Sequence, residues 1–249
     1  MQNKSVSLEY VGSDIAVVTM QDKVSKNAFS EELIDGLTSA FESIEYEGNC
    51  KAVILTGYDT YFASGGTIDS LLALHEGRKK FTDFALYELP LKCEVPVIAA
   101  MQGHGIGGGF VMGLFADFIV MSQEGVYTTN FMNYGFTPGF GSTYILKKKL
   151  GFGLAQEMLM SGGSYRGFEL EKRGIPFAVE PRVAVMPRAM KIATSLSEKP
   201  RRSLKILKRH LVDEILMALP EIEEKELVMH KQTFHTQEVK ERIETLYGK

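Results

Sequence analysis

Two glycine-rich loops constrain the fold of this chain more than any other feature. FASGG, Phe62–Gly66, follows the short apolar run Ala52–Thr56 and precedes a helical pattern that begins near Thr67. GHGIGGGF, Gly103–Phe110, follows a second such run, Pro96–Met101, and leads straight into an apolar helix. Short apolar runs without alternation suit strands buried on both faces. Strand, glycine loop and helix, met twice, predict the α/β class with largely parallel pairing. Glycines ahead of a helix also leave bare backbone N–H groups, which bind anions or developing negative charge. Each loop taken singly is equally satisfied by making a tight turn. A dinucleotide fingerprint fits the second loop only if its spacing is shifted, and it comes late in the chain. A P-loop is excluded because no GK[ST] follows.

The remaining pattern agrees with this class. Ser5–Tyr10 and Ile15–Met20 alternate about the turn Gly12-Ser13-Asp14 and predict a hairpin. From Ser30 the spacing of Leu33, Leu37, Phe41 and Ile44 predicts a helix. Helical segments are expected from the first glycine loop to about Pro90. Asp117–Ser122 reads as a third buried strand and Val126–Thr129 as a fourth. From Gly141 onward nearly everything reads as helix except Pro176–Val179. Pro200 and Pro220 each stand where a helix could begin.

Composition excludes several function classes. The 249 residues are 45% hydrophobic and 24% charged, with a net charge of −3, so nothing points to disorder, nucleic acid or an anionic membrane. The most apolar window, Gly107–Met121, is interrupted by Asp117 and is too short for a span. No secretory signal is expected. Cys50 and Cys93 stand apart without metal-ligand spacing and read as free thiols of a reducing cytoplasm. Neither a metal nor a cofactor is called for.

AVILTG, FASGG, PVIAAMQGHGIGGGFVMGLFADFIVMS and FTPGFG, in this order and spacing, resemble the enoyl-CoA hydratase (crotonase) superfamily over nearly the whole chain. The resemblance implies a crotonase-like spiral of ββα units over residues 1–195 and a helical C-terminal trimerisation region over 196–249. It also implies a homo-trimer or hexamer and an acyl-thioester substrate. The thioester oxygen would lie between two backbone N–H groups, which fall on Gly66 and Gly108. Such fixed donors stabilise an enolate more than its ground state.

Hydratases of the superfamily place water with two glutamates, and the matching positions here are Val111 and Phe131. Neither can carry a proton, and the nearby amides Asn130 and Asn133 cannot act as bases. Between Val111 and Tyr144 only Glu124 is a glutamate, in a turn expected to face solvent. Loss of CO2 from a β-carboxyl or vinylogous acyl thioester makes the enolate directly and needs no strong base. GRKKFTDFALYELPLKCEVPVIAAMQGHGIGGGFVMGLFADF and ELVMHKQTFH are similar to the decarboxylating enoyl-CoA hydratase-like proteins of polyketide β-branching cassettes, of the bacillaene-pathway type. In that group a pocket-covering Lys and a C-terminal His serve catalysis, and they fall on Lys80 and His230; Lys79 and His235 are the near alternatives. A Tyr found in some relatives one turn before the Lys is Glu76 here. A Lys that only paired with the departing carboxylate would stabilise the ground state. Lys80 is therefore expected to give the proton, and His230 to orient the carboxylate or share that duty.

The resemblance implies an acyl group carried by an acyl carrier protein, or by coenzyme A, within a polyketide synthase. Lys147–Lys149, with Arg201, Arg202, Lys205, Lys208 and Arg209, form either a solvated face or a docking surface for the acidic carrier. The alternatives for function are a double-bond isomerase of the same thioesters and a non-catalytic scaffold of the synthase. His104 is expected to pack beside its loop.

Overall fold

In a computed structural model, which describes residues 4–79 and 85–247, strands and helices alternate through the first two thirds of the chain and helices dominate the rest. The elements in order are β1 (Val6–Val11), β2 (Ile15–Met20), β3 (Ala28–Phe29), α1 (Glu31–Glu47), β4 (Ala52–Thr56), β5 (Tyr61–Ala63), β6 (Gly65–Gly66) and α2 (Ile68–His75). Next come α3 (Leu89–Lys92), β7 (Val97–Met101), β8 (His104–Ile106), α4 (Gly108–Leu114), β9 (Phe118–Ser122), β10 (Val126–Thr128), α5 (Ser142–Leu150) and α6 (Phe152–Ser161). The chain continues with β11 (Ser164–Arg166), α7 (Gly167–Lys172), β12 (Ala178–Glu180), α8 (Arg182–Ser197), α9 (Arg201–Thr233) and α10 (Gln237–Leu246).

The larger sheet has the order β1-β2-β4-β7-β9-β12. Only its opening hairpin is antiparallel, with Val6 opposite Met20 and Val11 opposite Ile15. β4 and β7 are buried at every position, as their unbroken apolar runs predict. Alternate residues serve two cores. Ala52, Ile54, Ile98 and Ala100 pack under Val185, Ala189 and Ala193 of α8. Val53, Leu55, Val97 and Ala99 face the main core with Leu33, Leu37 and Phe41 of α1. α1 starts as its sequence directs: Ser30 Oγ accepts the Leu33 N–H at 3.2 Å, and Gly48 closes the helix at φ +69°. The second sheet, β11-β10-β8-β5, lies over the first along the chain path, each of its inner strands following a strand of the larger sheet.

Two local expectations need correction. α9 runs from Arg201 through Pro220 to Thr233 without a break, although Pro200 does stand at its N-terminus. A proline inside a helix forfeits one hydrogen bond. Here the loss is offset by burial of Leu204, Val212, Leu219 and His230 along one face. β11 was not expected; it is a half-exposed three-residue strand, too short to show a period. As expected, the described residues between the first glycine loop and Pro90 are largely helical: α2 ends at His75, and a 3₁₀ turn at Ala85–Glu88 precedes α3. Among the described residues, no helix is long and apolar enough to cross a membrane.

Candidate active site

The two glycine loops meet. β3 pairs with β6 and β5 with β8, both in parallel, which draws Phe62–Gly66 against Gly103–Phe110. The fit leaves no room for side chains. Gly65 has φ +78°, and a Cβ there would lie 2.9 Å from the Ile106 carbonyl oxygen and 3.2 Å from the Gly108 nitrogen. A Cβ on Gly109 would lie 2.3 Å from the Ala63 carbonyl oxygen. The glycines are therefore needed for contact between the loops as well as for turning.

Gly65, Gly66, Gly107 and Gly108 line one cavity of about 900 Å³. Gly108 is the first residue of α4, a position whose N–H has no acceptor within its own helix. Gly66 stands two residues ahead of α2, which Thr67 caps by accepting the Ser70 N–H at 3.1 Å. Phe29, Leu71, Leu74, Phe131, Phe136 and Phe140 supply apolar wall, and Lys26, Ser70, His104, Thr128, Asn130 and Asn133 supply polar wall. Among the described residues that line the cavity, none is acidic. Val111 is wholly buried in α4, and Phe131 is one wall. Glu124 is exposed and receives the Arg182 N–H, away from this space. His104 packs edge-on to Tyr61 and accepts the Val126 N–H at 3.0 Å.

His230 lies one layer back. It lines a small adjoining pocket with Tyr87, Gly139, Phe140, Glu223, Glu226 and Leu227, and the Phe140 side chain borders both spaces. The ring is 5% exposed, and its Nε2 donates to the Thr137 carbonyl oxygen at 2.7 Å. Burial pushes its pKa down to about 4, so the imidazole is neutral at pH 7. One turn earlier, buried Glu226 accepts the Gly141 N–H at 2.8 Å, the Thr143 N–H at 2.9 Å and the Thr143 hydroxyl at 2.6 Å. Burial raises this carboxyl to about 7. Tyr87 donates its hydroxyl to Glu223 beside it. The sequence hinted at this cluster only through the spacing of Glu226 and His230, which share one helix face.

The other expected residues fall as follows. Lys80 lies outside the described residues. Lys79 pairs with Glu31 at 3.0 Å, and His235 donates to the His75 carbonyl oxygen at 2.7 Å. The basic groups do not make one open face. Lys208 is 4% exposed, pairs with Asp117 at 2.8 Å and donates to the carbonyl oxygens of Pro90 and Val95. Lys149 donates to the Ala116 carbonyl oxygen, Lys148 pairs with Glu214, and Arg201 and Lys205 share Glu94. Among the described residues, no three metal-ligating side chains come together.

Two interlocked glycine loops open on one cavity, as in the crotonase architecture, and the chain belongs to the enoyl-CoA hydratase/isomerase family, which it matches over residues 11–248. It is 60% identical, over the full length of both chains, to the bacillaene synthase decarboxylase PksI of Bacillus subtilis. A solved structure described as belonging to a dehydratase/decarboxylase enzyme couple of polyketide β-branching superposes with a TM-score of 0.98 at 60% identity, covering 99% of this chain and 100% of that one. The ECH2 decarboxylase domain of CurF from Lyngbya majuscula superposes with a TM-score of 0.94 at 44% identity, covering 98% and 100%. These close relatives are decarboxylases, in keeping with the reading from Val111 and Phe131.

Proposed function

We propose that this protein decarboxylates a 3-methylglutaconyl-type thioester, carried by an acyl carrier protein of a polyketide synthase, to a 3-methylcrotonyl-type thioester. The observation that carries the reading is a cavity lined by both glycine loops and, among its described residues, by no acid. The thioester oxygen would accept the N–H groups of Gly66 and Gly108. As the bond to the carboxyl carbon breaks, its electron pair conjugates onto that oxygen and CO2 departs. Each donor is worth roughly 3 kcal/mol to the resulting dienolate, by the measure of other oxyanion holes.

The dienolate then takes a proton on the carbon that lost CO2. Lys80 is the proposed donor. His230, neutral and anchored at Thr137, would orient the carboxylate or share the transfer through the Phe140 side of the cavity. Of the expected basic face, Lys147 remains an exposed candidate for carrier contact. Free thiols at Cys50 and Cys93, both buried, suit a cytoplasmic setting.

Intact-mass spectrometry of a carrier loaded with the 3-methylglutaconyl group tests the proposal. The expected result is loss of CO2 on incubation, slowed about 10²-fold or more in Lys80→Ala and His230→Ala. A double-bond shift without loss of mass would identify an isomerase. An unchanged acyl group would identify a scaffold. Normal turnover by both variants would remove their assignment and leave the decarboxylase.

A further inference from the structure

Helix α2 follows directly on Gly66, and the C-terminal segment ties it down at both ends. At its start the Tyr247 hydroxyl donates to the Gly66 carbonyl oxygen at 3.0 Å. At its end His75 Nε2 donates to the Thr236 carbonyl oxygen at 3.0 Å, and His235 Nδ1 donates back to the His75 carbonyl oxygen at 2.7 Å. Between these ties, α10 buries Val239 and Ile243. Its Arg242 reaches the carbonyl oxygen of Asn133, a residue that lines the same cavity, at 3.1 Å.

Gly66 needs such a tie. With no side chain, it has more backbone freedom than any other residue, and the two-residue pairing of β6 with β3 is a short restraint on its peptide planes. An oxyanion donor works only when its N–H is already aimed before charge develops. The Tyr247 hydroxyl holds the carbonyl of the same residue, which limits rotation of Gly66 about its second bond. The phenol also lines the cavity, yet its proton is committed to Gly66.

With Gly66 taken as an oxyanion donor, as in the function proposed above, we propose that α10 is a strap across the active site and that Tyr247 is a positioning residue for the Gly66 amide. Tyr247 touches the loop that binds the thioester oxygen and acts through it.

The test uses the full-length protein and Tyr247→Phe, which keeps the ring and removes one hydroxyl. Two unreactive pantetheine analogues of the 3-methylcrotonyl thioester serve as probes: a ketone that keeps the carbonyl, and a thioether with a methylene in its place. The wild-type protein should bind the ketone more tightly than the thioether. In Tyr247→Phe that ratio should fall about threefold to tenfold, the worth of one neutral hydrogen bond. Thioether affinity and KM should stay within twofold or so, while kcat falls in step with the ratio. An unchanged ratio and kcat in Tyr247→Phe would overturn the inference alone. Equal weakening of both analogues would also overturn it, by making Tyr247 a mere wall. A wild-type protein that does not distinguish the analogues would bring down the oxyanion reading and this inference together.

Discussion

Phe140 has φ +63° between Gly139 and Gly141, in a region where a residue other than glycine costs about 1–2 kcal/mol. Its surroundings hold it there. Glu226 takes the N–H of the next residue, and the ring packs at 5.0 Å from Tyr87 and 6.1 Å from Phe29. Substitution should therefore reverse the usual order of glycine and alanine. Both Phe140→Ala and Phe140→Gly lose a buried ring, at about 3–5 kcal/mol before relaxation. Glycine should recover about 1 kcal/mol of that by relieving the strain. Chemical denaturation of the two variants decides the matter, and an alanine variant as stable as the glycine one would show that no strain is held. FTPGFG is legible in the sequence as a turn and as a family motif. The strained φ is not, because contacts from α9 and β3 impose it.

Helix α9 fastens the loop 137–143 at three positions on one face, through Glu226, His230 and Thr233. Two of these residues carry opposite pH dependences. His230 has a pKa lowered by burial to about 4 from an ordinary 6.5, so its contribution is present above pH 6.5 and is lost as the pH falls towards 4. Glu226 has a pKa raised by burial to about 7, so its contribution is fullest below the ordinary carboxylate pKa and is lost as the pH rises through 7. The two slopes oppose each other in the wild-type protein. Replacing His230 with Asn should remove the acid-side loss. The stability gap between wild type and variant should then narrow by roughly 2–3 kcal/mol as the pH is lowered from 6.5 towards 4. Urea titrations over that window measure it, and a gap independent of pH would refute the buried neutral state. In the sequence, the resemblance points to His230, and no motif singles out Glu226. Periodicity placed both on a helix but could not say that a loop some ninety residues away would meet that face. Pro220 misled for the same reason, since local propensity knows nothing of the burial that carries the helix through it.

At the scale of the molecule, α9 presents Ile206, Leu207, Leu211 and Met217 to solvent at 56–71% exposure. Apolar side chains gathered on one helix mark a contact surface. The resemblance implies a homo-trimer or hexamer, and this face is where such self-association is tested. Leu207→Asp with Leu211→Asp should reduce the sedimentation coefficient to that of a monomer, while far-ultraviolet circular dichroism stays unchanged. A wild-type protein that already sediments as a monomer would remove the assembly.

The amino-acid sequence by itself determined the class of fold, the buried parallel strands, the two glycine loops and the loss of the hydratase carboxylates. Each is written in a local pattern: an unbroken apolar run, glycines between strand and helix, or a residue type at a motif position. Only the tertiary structure decided that the loops interlock at Gly65 and Gly109. It alone also set His230 behind Phe140, buried Lys208 against Asp117, and brought Tyr247 to Gly66. Those outcomes depend on contacts between distant segments, and such contacts exist only once the strands have fixed where each loop and helix must lie.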